Sequence, residues 1–244
     1  MKECQFRITE NTAIARDVFR LRLEGDVSEV RRPGQFVNLR LEGLFLRRPI
    51  SVCDRSEEGM TLIYKAVGRG TRQLSRMAPG ESLDILTGLG NGYDLSRAGE
   101  SPLLLGGGVG VPPLYWLARE LRKQGKRVAA VLGFGARAEV FGEEAFRALG
   151  CETVVTTVDG SHGRKGFVTD ALPADYSYFY ACGPEPMLRA VCRLAVSDGE
   201  CSLEERMGCG FGACMGCSCK TREGEKRICR EGPVLRKEEI LWEK

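Results

Sequence analysis

Val18-Phe19-Arg20-Leu21-Arg22-Leu23 sets apolar and polar side chains in alternation, the two-residue period of a strand with one covered face. Comparable short runs recur at Gln5–Thr9, Gln35–Leu41, Thr61–Lys65 and Ser82–Ile85. Glu24-Gly25-Asp26, Pro33-Gly34, Glu58-Gly59 and Pro79-Gly80 punctuate them as turns. Short strands at this spacing predict a small antiparallel β-barrel over residues 1–97, with one helical turn at Thr71–Met77. After residue 98 the pattern changes. Leu103–Leu105, Val128–Leu132, Thr153–Thr157 and Tyr178–Tyr180 are continuous apolar or β-branched runs, as parallel strands covered on both faces require. Pro113–Gln124, Glu143–Leu149 and Pro186–Ser197 lie between and after them with helical periodicity. In the last, Leu188, Val191, Cys192 and Ala195 fall on one face. This alternation predicts a doubly wound parallel sheet over residues 98–199. Residues 200–244 follow neither period and form a third region, defined by its cysteines.

Ser101–Ala118 carries no charge and is long enough to imitate a membrane span. Pro102, Gly106, Gly107, Gly108, Gly110, Pro112 and Pro113 would break a single helix, so it reads as a buried strand, a glycine turn and a helix start. Charge changes the picture little. Lys plus Arg number 36 against 33 Asp plus Glu, a net charge of +3, and no basic run is long enough to grip nucleic acid. Two counts do change it. Glycine is 31 of 244, well above the usual share of about 7%, which points to loops where backbone approaches a ligand closely. Cysteine is 11, with five between Cys209 and Cys229. MKECQFRITEN lacks the basic-then-apolar order of a secretory signal, so a cytoplasmic location is expected. Clustered thiols there indicate metal or redox chemistry rather than a disulfide framework.

Cys209-x4-Cys214-x2-Cys217-x11-Cys229 has the spacing of a plant-type 2Fe-2S site. Gly210, Gly212 and Gly216 keep side chains out of the way, so that backbone N–H groups can point at the sulfurs. A structural zinc site is the competing reading, although zinc favours two C-x2-C knuckles and Cys229 has no near partner. Cys219 is a rival for one of the four ligand places. Cys4, Cys53, Cys151, Cys192 and Cys201 have no partner by spacing and read as structural.

In the barrel, Arg48-Pro49-Ile50-Ser51 puts a guanidinium and a hydroxyl on one extended stretch, where both can face a pyrophosphate. Ile63-Tyr64-Lys65 follows, with a tyrosine able to lie on a ring. Gly68-Arg69-Gly70-Thr71 then opens a helical turn whose amides suit a phosphate. Beside a redox cluster these elements suggest a flavin dinucleotide; without it, turn glycines and a core tyrosine would explain them equally.

Leu103 to Pro113 reads strand, glycine turn, helix, with Gly106, Gly107, Gly108 and Gly110 in the turn. It is not a strict G-x-G-x-x-G, yet its glycines permit close approach and Pro113 suits a first helical turn. Cys182-Gly183-Pro184 ends a later strand in the same manner, and Asp159 opens a loop after another. Ligands of such sheets bind beyond the carboxyl ends of the strands, where all three segments lie. Cys182 is the candidate for contact with the reacting ring. His162, the one histidine, reads as a solvated or adenine-side residue.

Together, Arg48-Pro49-x-Ser51, Gly70-Thr71, the Gly106-Gly107-Gly108-x-Gly110 turn and Cys182-Gly183-Pro184 resemble the ferredoxin–NADP reductase superfamily. Glu205-Arg206-Met207-x-Cys209-Gly210-x-Gly212-Ala213-Cys214, Cys217, Cys229 and Gly232-Pro233-Val234 resemble, within it, the electron-transfer subunits of B-type dihydroorotate dehydrogenases. The resemblance spans essentially the whole chain. It implies that Arg48, Pro49, Ile50, Ser51, Ile63, Tyr64, Lys65, Gly70 and Thr71 bind FAD, and that Cys209, Cys214, Cys217 and Cys229 hold the cluster. The chain departs from the pattern at Gly88-Leu89-Gly90-Asn91-Gly92, where similar proteins usually carry Pro-Leu-Gly-Asn-Gly. NAD over NADP is the expectation, although Ala136-Arg137 sits where an arginine can meet the 2′-phosphate of NADP.

The electron count orders the cofactors: nicotinamide carries hydride, the cluster single electrons, and a flavin handles both. The expected function is transfer of electrons from a partner FMN-containing dihydroorotate dehydrogenase subunit, through 2Fe-2S and FAD, to NAD+. No base positioned for carbon-acid chemistry is present, so the dihydroorotate site belongs to the partner, in an assembly expected to be a heterotetramer of two of each. The alternatives are an NAD(P)H–ferredoxin or sulfide-linked reductase subunit, and a zinc-bound nucleotide sensor.

Overall fold

The computed structural model describes residues 1–242. Its first unit is a closed antiparallel barrel of β1 (Lys2–Ala15), β2 (Val18–Glu24), β3 (Phe36–Leu39), β4 (Arg48–Arg55), β5 (Gly59–Lys65) and β6 (Ser82–Leu89), in the order β1-β2-β5-β4-β3-β6. Alternation decides what fills it: Phe6, Ile8, Leu21, Leu23, Leu62 and Ile85 turn inward and are buried. β1 outruns the five residues its apolar pattern predicts, because Lys2–Arg7 pairs with β6 while Arg7–Ala15 pairs with β2. One strand serving two neighbours closes the barrel, and its second half is recruited by pairing rather than by burial. The short helix α1 (Arg69–Leu74) sits slightly earlier than Thr71–Met77.

The second unit is a seven-stranded sheet built from β7 (Leu103–Gly107), β8 (Ala129–Phe134), β9 (Glu152–Thr157), β10 (Arg164–Lys165), β11 (Phe179–Cys182) and β12 (Gly199–Ser202), closed at one edge by a late strand, Val234–Arg236. The Val234–Arg236 strand is antiparallel to β12; the rest run parallel. Helices α2 (Pro112–Lys123), α3 (Glu143–Ala148) and α4 (Glu185–Leu194) cover it. Leu104, Ala130, Leu132 and Tyr180 share a core with α2, whereas Leu103, Leu105, Val131 and Phe179 share one with α4. Period-two alternation within unbroken apolar runs thus places helices on both faces. The chain moves outward from β7 through β8 to β9, then returns to lay β11 on β7's other side. That reversal opens a crevice beyond the ends of β7 and β11.

Two boundaries differ from the sequence pattern. α4 stops at Leu194 instead of Ser197, because the Lys237 ammonium binds the Ala195 and Ser197 carbonyls at 3.0 and 3.1 Å and the chain turns there into β12. Position 199/200 lies inside β12, so the sheet reaches into the cysteine-rich region. Between β12 and the final strand, β13 (Ser218–Thr221) and β14 (Gly224–Arg227) form a hairpin; the edge strand Val234–Arg236 is β15. Gly88 adopts φ +72°, which a proline ring cannot reach, so this loop follows a course closed to Pro-Leu-Gly-Asn-Gly. Its Asn91 clamps the C-terminal segment: Nδ2 donates to the carbonyls of Glu231 (3.0 Å) and Val234 (2.7 Å), and Oδ1 accepts from the Val234 amide (3.1 Å).

Candidate functional site

The crevice continues into a cavity of about 600 Å³ between barrel and sheet. From the barrel it is bordered by Arg48, Pro49, Ile50, Ser51, Ile63, Tyr64, Lys65 and Thr71. These residues do not all reach it in the same way. Strand geometry turns alternate side chains to opposite faces, so Arg48 and Ser51 cannot share a face through the strand alone. Ile50 packs against the barrel core, which leaves Pro49 and Ser51 outward. Arg48 instead rounds the barrel end over Gly70, where a Cβ would stand 2.4 Å from its Nε, and it donates to the Leu46 carbonyl at 2.6 Å. Gly70 therefore serves by making room for a guanidinium. Tyr64 borders the cavity, but its ring is stacked on Phe19 at 5.7 Å and its hydroxyl donates to Asn11 Oδ1 at 3.0 Å, so it presents no free ring face there. The Thr71 hydroxyl accepts from the amides of Val67 and Gly68, so two of that loop's amides are engaged by the loop itself.

The sheet contributes the two turns. Gly106 is pressed against Val111, and a Cβ there would meet Val111 Cγ2 at 2.8 Å; it lets α2 pack on the strand and does not line the cavity. Gly107 faces Met187 and Pro184. Gly108, at φ +52°, has nothing within 4 Å of its Cβ position and leaves backbone open to the cavity. At Gly110 a Cβ would lie 2.2 Å from the Cys182 carbonyl oxygen, so glycine is what allows the two turns to touch. Cys182 lies against Ser202 and Tyr93. Burial, with hydrogen bonds from Ser202 and Tyr93 acting weakly the other way, pushes its thiol up to about 12. It stays protonated near neutrality and offers contact rather than thiolate chemistry.

Asp159 does not border the cavity: its Oδ1 accepts from the Ser161 amide (2.9 Å) and hydroxyl (2.6 Å), closing its own turn. His162 pairs with Glu143 at 2.7 Å on the same outer edge. Several lining residues carry no local motif, among them Phe36, Phe134, Phe141, Glu139 and Ser202. Glu139 follows β8 yet meets barrel residues Arg16 (3.0 Å) and Lys65 (3.3 Å), which hold its carboxyl below the usual range. Nothing in the sequence marked this tie, since positions 16, 65 and 139 are brought together only by the fold.

Beyond the far end of β3 lies the cysteine loop. Asn38, fully buried on the barrel, donates to the Cys209 carbonyl at 3.3 Å; Gly210 sits so close that a Cβ would be 2.3 Å from Asn38 Nδ2. Backbone amides converge on sulfur: Ala213 and Cys214 donate to Cys209 Sγ at 3.2 and 3.4 Å, and Gly216 to Cys214 Sγ at 3.4 Å. Burial works to raise Cys209, but the amides of Phe211, Cys214 and Ala213 outweigh it and bring the thiol down to about 6. Arg227 braces the loop, donating to the Gly212 carbonyl at 2.7 Å while paired with Glu231.

Backbone amides associate the thiols as two pairs: the Cys209 and Cys214 amides each donate to the other's sulfur at 3.4 Å, and the Cys229 amide donates to Cys217 Sγ at 3.5 Å. Among the described residues no three metal-ligating side chains converge as one ion would need. Two thiol pairs wrapped in N–H donors fit a two-iron cluster with two thiolates per iron better than mononuclear zinc. Cys219, on β13 and half-buried, packs against the same α4-side core as Cys217 and Cys229.

Comparison with known proteins agrees with this geometry. The family described as the iron-sulfur cluster binding domain of dihydroorotate dehydrogenase B matches residues 204–241. The chain is 45% identical over 257 residues to the dihydroorotate dehydrogenase B (NAD(+)) electron transfer subunit of Geobacillus sp. (strain WCH70), covering 99% of each. It is 46% identical to that of Fusobacterium nucleatum subsp. nucleatum, over 93% of this chain and 94% of the other. A solved structure of an NADH-dependent reduced ferredoxin-NADP oxidoreductase, studied for flavin-based electron bifurcation, is similar with a TM-score of 0.87 and 32% identity, over 97% of this chain and 90% of that one. A ferredoxin NADP+ reductase from Neisseria gonorrhoeae, at 17% identity and TM-score 0.68 over 80% and 90%, shares the fold. Among the described residues no helix is long and apolar enough to cross a membrane.

Proposed function

The chain belongs to the electron transfer subunits of dihydroorotate dehydrogenase B, and from that premise we propose how its parts divide the work. It is an oxidoreductase subunit of the NAD-dependent enzyme of pyrimidine biosynthesis, uses FAD, a 2Fe-2S cluster and NAD, and acts with a catalytic partner subunit. When bound, the FAD supplies the exchange between nicotinamide hydride and the single electrons of the cluster, linking an FMN of the partner to NAD+.

Residues 1–97 hold the FAD, 98–199 the nicotinamide and 200–244 the cluster, with β12 and β15 anchoring the third region on the sheet of the second. Arg48 turns a preset guanidinium toward the pyrophosphate, Ser51 offers its hydroxyl, and Pro49, Ile63 and Lys65 shape the wall. Gly107 to Gly110 admit the dinucleotide backbone, and Cys182-Gly183-Pro184 closes on the reacting ring with a neutral thiol. Cys209, Cys214, Cys217 and Cys229 hold the cluster in two pairs. The amides of Ala213, Cys214 and Gly216, already aimed at sulfur, stabilise its negative charge and raise its potential. The exposure of Cys214 supports a cluster loop that faces the partner; we further propose an assembly of two copies of each subunit, working in the cytoplasm.

The observation that carries this reading is the single cavity bringing Arg48–Ser51, the Gly107–Gly110 turn and Cys182-Gly183-Pro184 together, with Asn38 joining that barrel to Cys209. Cys214→Ser in the purified chain tests it. NADH should still bleach the flavin absorption while electron exchange with the partner is abolished. Loss of both in a folded protein overturns the assignment. The 32% identical ferredoxin-linked neighbour supports a second reading, in which ferredoxin replaces the partner. Acceptor assays with and without a dihydroorotate-oxidising subunit separate the two.

A further inference from the structure

Cys192 and Cys201 carry no motif, and spacing alone reads them as structural; the fold makes them a pair. Cys192 lies on α4, Cys201 on β12, and their sulfurs are 3.5 Å apart in hydrogen-bond contact. The two sit in unlike surroundings. Cys201 is fully buried, whereas Cys192 is half-buried and reachable at the helix edge. The hydrogen bond from Cys201 lowers the Cys192 thiol, helped by the Lys237 ammonium and opposed by burial, and the same bond together with burial raises Cys201. One thiol is thus poised as nucleophile and the other as a protected second thiol.

Joining them needs an approach of about 1.5 Å, from van der Waals contact to the S–S bond length. α4 is ten residues long and its end is anchored by buried Val191 and by Lys237 on the Ala195 and Ser197 carbonyls, so the short approach is a local adjustment of the Cys192 side chain and the helix edge that carries it. Leu194, two residues beyond Cys192, is already half exposed.

We propose that Cys192 and Cys201 are a dithiol modification site, oxidised by peroxide to an intrachain disulfide. Cys192 sulfur attacks the O–O bond and takes one oxygen as sulfenic acid, releasing water. Cys201 sulfur then displaces that oxygen, forming the S–S bond and releasing a second water. Two thiols and one hydrogen peroxide become one disulfide and two waters; the two electrons leave the sulfurs and the thiol protons end in water. The bridge ties α4, which begins one residue after Pro184, to β12, which ends at cavity-lining Ser202. The bridge therefore joins two elements whose neighbouring residues, Pro184 and Ser202, line the cavity. The inference rests on the thiol geometry and not on the cofactor assignments.

The test uses the full chain with its cofactors, treated anaerobically with hydrogen peroxide at increasing molar ratio, acid-quenched, alkylated and digested for mass spectrometry. The expected result is a linked Cys192–Cys201 peptide pair, loss of alkylation at both positions together, and recovery of both with dithiothreitol. Cys201→Ala should let dimedone trap sulfenic acid at Cys192, while Cys192→Ala should leave Cys201 unmodified. The wild-type crosslink is read without either variant, so poor folding of a variant does not blunt the test. Unchanged alkylation of both residues, or their linkage to other cysteines instead of each other, overturns the proposal.

Discussion

At Gly110 a single missing methyl group decides whether two turns can meet. An added Cβ would face the carbonyl carbon and oxygen of Cys182 and the amide of Gly183, all backbone, so no side chain can move aside. Gly110→Ala is expected to cost at least the roughly 1–3 kcal/mol of core overpacking. For a chain this size that lowers the melting temperature by several degrees, roughly 2–4 °C per kcal/mol. It should also weaken NADH binding, whereas Gly43→Ala, in open space, should leave NADH binding unchanged. Calorimetric melts of the apo-chain and NADH titrations check both. The glycine turn was legible in the sequence, but its separate duties were not. Gly106 for helix packing, Gly108 for open backbone and Gly110 for turn contact differ only in what lies opposite, and what lies opposite comes from residues 111, 182 and 187.

Among the elements, β12 combines a sheet position with an uncomfortable charge. Glu200 is 4% exposed, accepts one hydrogen bond, from the Asp94 amide at 3.0 Å, and is raised by burial from 4.5 to about 7. In the fold it keeps its proton up to about pH 7, while the unfolded chain loses it near 4.5. Unfolding therefore releases a proton between those values, and stability falls as pH rises through that window. The penalty is complete above it, at most about 3 kcal/mol. Glu200→Gln keeps an acceptor for Asp94 and should be more stable than wild type at pH 8 but equal at pH 4, as denaturant unfolding at the two pH values will show. Strand and helix identities in the sheet followed from periodicity, since each apolar run serves both faces. β12 escaped because Gly199-Glu200-Cys201-Ser202 has no strand-like composition; it is a strand because β11 and β15 flank it.

The whole molecule depends on a few long-range ties between its three regions: Asn38 to Cys209, Glu139 to Arg16 and Lys65, and Asn91 to Glu231 and Val234. Asn91 alone makes three hydrogen bonds across that boundary, each worth about 1 kcal/mol. Asn91→Ala should loosen the cysteine-rich segment by about 2–3 kcal/mol and leave the barrel in place. Iron loss on mild heating, followed by absorbance, should precede flavin release in that variant; simultaneous loss of both would show that the segment and barrel unfold as one. What the sequence determined by itself was everything carried by local period or spacing. That covers the barrel, the doubly wound sheet, the glycine turns and the Cys209-x4-Cys214-x2-Cys217 spacing from which a cluster site is proposed, because pleat, helix pitch and ligand reach act within a few residues. What only the tertiary structure decided were the encounters of distant segments. Arg48 reaches the cavity over Gly70, Tyr64 bonds to Asn11, Asp159 closes its own turn, and Cys192 meets Cys201. None leaves a local trace, because burial and contact belong to the partner that folding brings, not to the residue itself.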